Sequence, residues 1–348
     1  DRQGIRCCYY YIGWMVKILE QMQTRISSVE QANQTLLRSN RQLLELLQDK
    51  EQELLDYQRN LIYELNDPRL TKQKNWYPTL APIEETIEKI ITEGKSLARF
   101  GDGEFSTIAG RVRHKFQTEP DAGLGERLKK VLCAQENQLL IGIADNYGML
   151  DCYNEQAKRE IRRYMNPEIR REHLQLLRRD RVYENAYLTR PYVMYADNQT
   201  DAPAKRFEKL KQIWNNRKCV FVEGCQSALG VGNDLFDNAG SIKRILGPAE
   251  NAYRHYPDIY RECLKQDKDS LFLLALGPSA TILASDLCKM GYQAVDIGHI
   301  DLEYEWFLKG EGRRIAIAEK YNNEVPDGNH PQEIKDEKYR AEIIADFS

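Results

Sequence analysis

Histidine is scarce in this chain, and its cysteines are dispersed. There are five histidines and eight cysteines, and no Cys-x-x-Cys pair occurs. That supply argues against a zinc site. Cys7, Cys8, Cys133, Cys152, Cys219, Cys225, Cys263 and Cys288 suggest no disulfide framework. Cys219, inside Cys219-Val220-Phe221-Val222, reads as a small buried thiol, and a reducing cytosol is the expected setting. No run approaches the roughly 18 apolar residues that a membrane span needs. The aromatic stretch from Cys7 to Val16 is too short to cross a bilayer and has no small-residue cleavage site, which leaves a peripheral membrane contact or an aromatic partner surface open. A net charge of -3 gives no global attraction to nucleic acid or anionic lipid, so any anion must be met by a local site.

Glycine and proline are absent from residues 18–66, which are rich in Leu, Gln, Glu and Arg. Met22, Ile26, Val29, Asn33, Leu36, Asn40, Leu43, Leu47, Lys50, Leu54, Tyr57 and Leu61 follow alternating steps of four and three, and nine of these twelve are apolar. This pattern predicts a coiled coil over 18–66, preceded by an aromatic, cysteine-bearing segment over 1–17. Asn33 and Asn40 fall at a positions, which favours a parallel homodimer because each amide can meet its own copy. Asn66-Asp67-Pro68 should stop the helix, and 67–82, with Pro78 and Pro82, reads as a linker.

From 83 to 310 the pattern alternates. Short continuous apolar runs (Ser96–Phe100, Gln138–Ala144, Lys218–Val222, Ser241–Leu246, Leu271–Leu276 and Gln293–Ile297) are separated by helical stretches. Unbroken apolar strands between helices predict an α/β sandwich with a mostly parallel sheet. Ligands of such sheets lie beyond the strands' carboxyl ends. Residues 311–348 are charged, show little periodicity, and read as a peripheral extension.

The strand ends carry the polar residues. After the first strand come Asp102 and Glu104 around a single glycine, a spacing that lets two carboxylates share a hard cation such as Mn²⁺ or Mg²⁺, which can clamp a diphosphate. The same triplet also suits an ordinary turn or a helix start. The loop from Gly224 to Gly232 resembles a phosphate cradle. It matches neither the P-loop nor the dinucleotide fingerprint, and Ser227 is not in Gly-x-Ser-x-Gly. Gly277-Pro278-Ser279 opens a helix where backbone N–H groups can meet a phosphate. Arg190 can neutralise phosphate charge. Asp301, Glu303 and Glu305 alternate as on an extended segment or loose turn, and one of them, or neighbouring His299, is the candidate base.

Five ordered motifs complete the pattern: Arg99-Phe100-Gly101-Asp102-Gly103-Glu104, Glu223 to Phe236, Gly247-Pro248-Ala249-Glu250-Asn251-Ala252, Ala275 to Thr281, and Asp296 to Trp306. Together they resemble the GT-D-fold glycosyltransferases, known from bacterial enzymes that extend glycans on serine-rich-repeat adhesins. The resemblance covers about 83–310. It implies a Rossmann-like sandwich of GT-D type, a cytoplasmic bacterial enzyme, a UDP-sugar donor (usually UDP-glucose) and a metal held by Asp102 and Glu104. The expected donor contacts are Arg99, Phe100, Gly101, Asn146, Arg190, Ser227, Gly230, Asn233, Asn251 and Ser279. His299, Asp301 and Glu303 would face a hydroxyl of a glycan or glycoprotein acceptor, with Asp301 the first choice of base. The alternatives are a dimeric scaffold that binds sugar nucleotides without turnover, or a metal-dependent phosphotransferase or phosphohydrolase.

Overall fold

A computed structural model describes residues 2–65, 76–112, 116–322, 324–326 and 328–348, with side chains from Tyr10 onward. The chain divides into two units, residues 1–61 and 62–348. Helix α1 (Arg2–Leu65) runs without a break through the stretch read from sequence as a separate N-terminal segment. Met22, Ile26, Val29, Leu36, Leu43, Leu47 and Leu54 are all more than half exposed along it. The expected stop at Asn66-Asp67-Pro68 and the linker residues 67–75 lie outside the described residues.

The second unit begins its sheet with β1 (Thr79–Leu80), α2 (Ile83–Thr92), β2 (Ser96–Phe100), α3 (Asp102–Ile108), α4 (Ala122–Leu132) and β3 (Leu139–Ile143). Then come α5 (Glu155–Tyr164), α6 (Pro167–Leu176), β4 (Val182–Asn185), α7 (Ala202–Lys211), β5 (Lys218–Gly224) and β6 (Ser241–Gly247). The chain closes with α8 (Tyr256–Cys263), β7 (Leu271–Ala275), α9 (Pro278–Lys289), β8 (Gln293–Asp296), α10 (Ile300–Leu308), α11 (Glu337–Glu342) and β9 (Ile343–Asp346). Capping follows local chemistry: the Asn166 side chain accepts from the N–H groups of Glu168 and Ile169 at a helix that opens with Pro167.

The nine strands are ordered β1-β4-β3-β2-β8-β7-β5-β6-β9, and each pairing between named strands is parallel. Alternate residues feed two cores, one on each face. Ala98, Phe100, Val220, Val222, Phe272 and Leu274 pack into one, while Leu97, Cys219, Phe221, Leu271 and Leu273 pack into the other. Helix α9 is nearly swallowed by the first core, with ten of its residues buried.

The sheet is wider than the sequence indicated. Thr79–Leu80, in the expected linker, pairs with β4, and Ile343–Asp346, in the expected extension, pairs with β6. Neither strand exceeds four residues, so no apolar run announced it. The consequence for the site lies in the register. Phe100 pairs with Ile143 and Leu97 with Val295, so the segments leaving β2, β3 and β8 emerge side by side.

Candidate active site

Those segments surround a cavity of about 290 Å³ at the carboxyl ends of the central strands. It lies where sheet order reverses between β2 and β8, the position at which open α/β sheets take ligands. Among the residues expected from sequence, Arg99, Gly101, Asp102, Glu104, Asn146, Arg190, Ser227, His299 and Asp301 all line it. Gly277 and Pro278 bring the first turn of α9 to the same wall.

Asp102 and Glu104 occupy the first turn of α3 rather than a free turn. Side chains two apart on a helix diverge by about 200°. Both nevertheless line the same cavity, so a cation between them would be met from two sides rather than by a parallel pair. Glu104 Oε2 accepts from the Gly101 N–H at 2.7 Å and so caps its own helix. Burial, reinforced by the charge of Asp296, pushes the Glu104 carboxyl up to about 7, against the pull of the Gly101 N–H and Arg99. The cavity wall carries six carboxylates (Asp102, Glu104, Glu160, Asp296, Asp301 and Glu324) against three guanidiniums (Arg99, Arg190 and Arg314). Hard oxygen donors facing an acid-rich space fit Mn²⁺ or Mg²⁺. Among the described residues no group of three or more His, Cys, Asp or Glu side chains forms a ready-made cage, so a cation there would need water or ligand oxygens to complete its coordination.

Both cavity arginines in the expected donor set are tied to acids. Arg99 donates to Asp296 Oδ1 from Nη2 at 2.8 Å, and from Nε to the Asp296 main-chain oxygen at 3.0 Å. Gly298 has φ +47°, and a Cβ there would run into the Arg99 guanidinium. Only glycine lets the guanidinium lie across that turn. Arg190 grips Glu324 through both carboxylate oxygens, at 3.0 and 2.7 Å, and approaches His299 Nδ1 at 3.3 Å. Burial opposes its charge, but Glu324, Glu303 and Asp102 together keep it firmly protonated.

The acidic alternation after β8 is helical. Asp301 and Glu305, four apart on α10, both meet Lys320 Nζ, at 2.6 and 3.0 Å, while Glu303 points elsewhere. Asp301 Oδ1 also accepts from the Gly230 N–H and Asn233 Nδ2, at 3.0 and 2.9 Å. With both oxygens engaged, Asp301 braces the glycine loop and is poorly placed to accept a proton. Glu303 is buried and accepts from the N–H groups of Tyr192 and Val193, fixing the segment that carries Arg190; it does not line the cavity. His299 does, and its ring lies 5.4 Å from that of Phe116.

Other expected contacts stand back from the cavity. Phe100 and Ser279 are core residues. Gly230 and Asn233 line a second, separate hollow behind the glycine loop. Asn251, at φ +54°, accepts through Oδ1 from the N–H groups of Thr118 and Glu119 and so anchors the loop carrying Phe116. Sequence reasoning missed Phe116, Tyr164, Tyr187, Arg314, Tyr321 and Glu324, all of which line the cavity. The last three come from the stretch read as peripheral. The alternation Ile315-Ala316-Ile317-Ala318 amid its charges was the available cue, and Ile317 is indeed buried. Among the described residues no helix is long and apolar enough to cross a membrane.

Comparison with known proteins agrees with this architecture. Residues 97–325 match the family model for the glycosyltransferase GT-D fold. A probable glycosyl transferase, Gly, of Streptococcus gordonii is 35% identical over 270 residues, covering 76% of this chain and 38% of that protein. Glycosyltransferase GlyD of Streptococcus pneumoniae is 36% identical over 269 residues, covering 76% of this chain and 32% of that protein. The chain thus spans about a third of the length of these curated relatives. The solved structure of a glycosyltransferase (DUF1792) from Streptococcus sanguinis superposes with a TM-score of 0.72 at 32% identity, covering 78% of this chain and 100% of that one. A structure of the domain of unknown function 1792, described as having a distinct glycosyltransferase fold, gives 0.71 at 32% identity over 78% of this chain and 96% of its own. The chain belongs to the GT-D-fold glycosyltransferase family.

Proposed function

We propose that the second unit transfers a hexosyl group, glucose in the first instance, from a UDP-sugar to a hydroxyl of a glycan or glycoprotein with Mn²⁺ or Mg²⁺ bound. The observation that carries this reading is the charge of the cavity wall. Six carboxylates face three guanidiniums there, and even with Asp301 paired to Lys320 and the Glu104 carboxyl pushed up to about 7 the wall stays acid-rich, which favours a diphosphate donor that arrives with a cation. Asp102 and Glu104 are the residues that would hold the metal, and when bound it offsets charge developing on the departing diphosphate. The rest is done by the chain itself. The start of α9, at Gly277 and Pro278, turns the positive end of that helix toward the cavity, where it favours an anion. Arg190 supplies fixed positive charge, and Asn146 and Ser227 offer polar contacts to the nucleotide or sugar. His299 faces the acceptor side, and Asp301 acts by holding the Gly230 loop in place. The heptad stripe of α1, with Asn33 and Asn40 in register, would pair with a second copy.

The experiment is release of UDP from UDP-glucose with and without Mn²⁺. Metal-dependent cleavage lost in Asp102→Ala and Glu104→Ala supports the proposal. Release of inorganic phosphate would instead indicate a phosphohydrolase, and no turnover with any UDP-sugar would indicate a binding scaffold.

A further inference from the structure

Tyr63 stands on the last turn of α1, ahead of the 97–325 segment that matches the family model. We infer that it is a positioning residue for the donor pocket, acting through the Asn146 loop. The inference rests on the reading of Asn146 as a donor contact. The Tyr63 hydroxyl lies 3.0 Å from the main-chain oxygen of Asn146 and 2.7 Å from that of Gly148. One phenolic proton thus spans two carbonyls of the turn that leaves β3. The ring is 5% exposed, and the Arg170 guanidinium sits 4.4 Å from its centroid, so the phenol is held from both sides.

The loop it holds is the one with something to present. Asn146 lines the cavity and is itself 5% exposed, and its Oδ1 has no hydrogen-bond partner among the described residues. A buried amide oxygen left without a donor is costly unless a ligand N–H or O–H supplies one. A sugar hydroxyl or a base N–H fits that need. The aim of the Asn146 side chain depends on the main chain from 144 to 148 together with its hydrogen bond to the Tyr187 side chain. Within that turn the Asn146 N–H meets the Ala144 oxygen at 3.0 Å, and the Tyr153 hydroxyl pins the Asp145 oxygen at 2.9 Å. Tyr63 pins the carbonyls of Asn146 and Gly148. Removing its hydroxyl frees the side of the turn on which Asn146 sits, while Phe at 63 keeps the ring under Arg170.

The test uses the full chain as wild type, Tyr63→Phe and Asn146→Ala, with UDP-glucose and Mn²⁺ as the probe. Tyr63→Phe should raise the donor KM about 3- to 10-fold, the equivalent of one lost hydrogen bond, with kcat held. Hydrogen exchange should quicken at 144–150 and nowhere else in the second unit, a local signature that general loosening would not give. If Asn146→Ala weakens donor binding and Tyr63→Phe does not, Tyr63 has no positioning role. If neither variant changes donor binding, the reading of Asn146 fails and takes the role of Tyr63 with it.

Discussion

Replacing Lys320 with Met should cost the second unit about 3 kcal/mol. Lys320 Nζ is 2.6 Å from Asp301 Oδ2 and 3.0 Å from Glu305 Oε1, and the side chains of Lys320 and Asp301 are each 1% exposed. Breaking a buried pair by deleting one partner costs about 3–5 kcal/mol, because the charge left behind stays desolvated. Here two carboxylates are stranded, but neither is bare. Asp301 keeps the Gly230 N–H and Asn233 Nδ2, while Glu305 keeps Asn233 Nδ2 at 2.7 Å. That remaining support places the loss at the lower end of the range. For a unit of this size it corresponds to a fall in Tm of about 5 °C. Urea unfolding followed by tryptophan fluorescence reads it directly, since Trp306 is fully buried on the same helix as the stranded acids. A loss below about 1 kcal/mol at pH 7 would refute the reasoning.

Further outcomes follow from other contacts. Gly298→Ala should abolish activity and destabilise the fold by at least about 2 kcal/mol, since both a positive φ and the Arg99 guanidinium oppose a Cβ there; calorimetry and donor cleavage check it together. Because burial pushes the Glu104 carboxyl up to about 7 and only the ionised form can ligate a cation, apparent Mn²⁺ affinity should fall toward about tenfold per pH unit below that value. In Glu104→Gln that slope should vanish in titrations at pH 6 and 8. Arg190→Ala should weaken UDP-glucose binding about 10- to 100-fold, the range for a lost charge-assisted contact, measured by calorimetry with Mn²⁺ present. Leu36→Glu with Leu43→Glu should halve the mass seen by light scattering while leaving UDP-glucose cleavage unchanged, because both residues lie on the exposed stripe of α1.

Much of the fold was legible because its central strands are uninterrupted apolar runs, and β2 falls at Ser96–Phe100 as read. The strands that escaped notice are short pieces at or next to the sheet edges. Val182-Tyr183-Glu184-Asn185 is half polar because Glu184 is spent on Thr86 and Lys89, at 2.7 and 2.9 Å. The misreading at Asp301-Leu302-Glu303-Tyr304-Glu305 has a clear physical origin. Residues 300–306 of α10 are all buried, so the helix shows no amphipathic stripe and the acids impose a false period of two. Asp102 and Glu104 were found because they follow a strand directly, yet their helical divergence depends on where α3 begins, and a turn and a helix start read alike in Gly101-Asp102-Gly103-Glu104. The role of Glu324 could not be read because its partner Arg190 lies 134 residues away, while Lys320, only 19 residues from Asp301, was hidden in a charged stretch read as peripheral.

Crystals grown with Mn²⁺ and UDP, measured at the manganese absorption edge, probe the metal-dependent donor site most directly. An anomalous peak in contact with Asp102 and with the diphosphate, inside the cavity between β2 and β8, is the predicted result. Bound UDP with no manganese signal at that carboxylate, or nucleotide seated away from this cavity, would contradict the account.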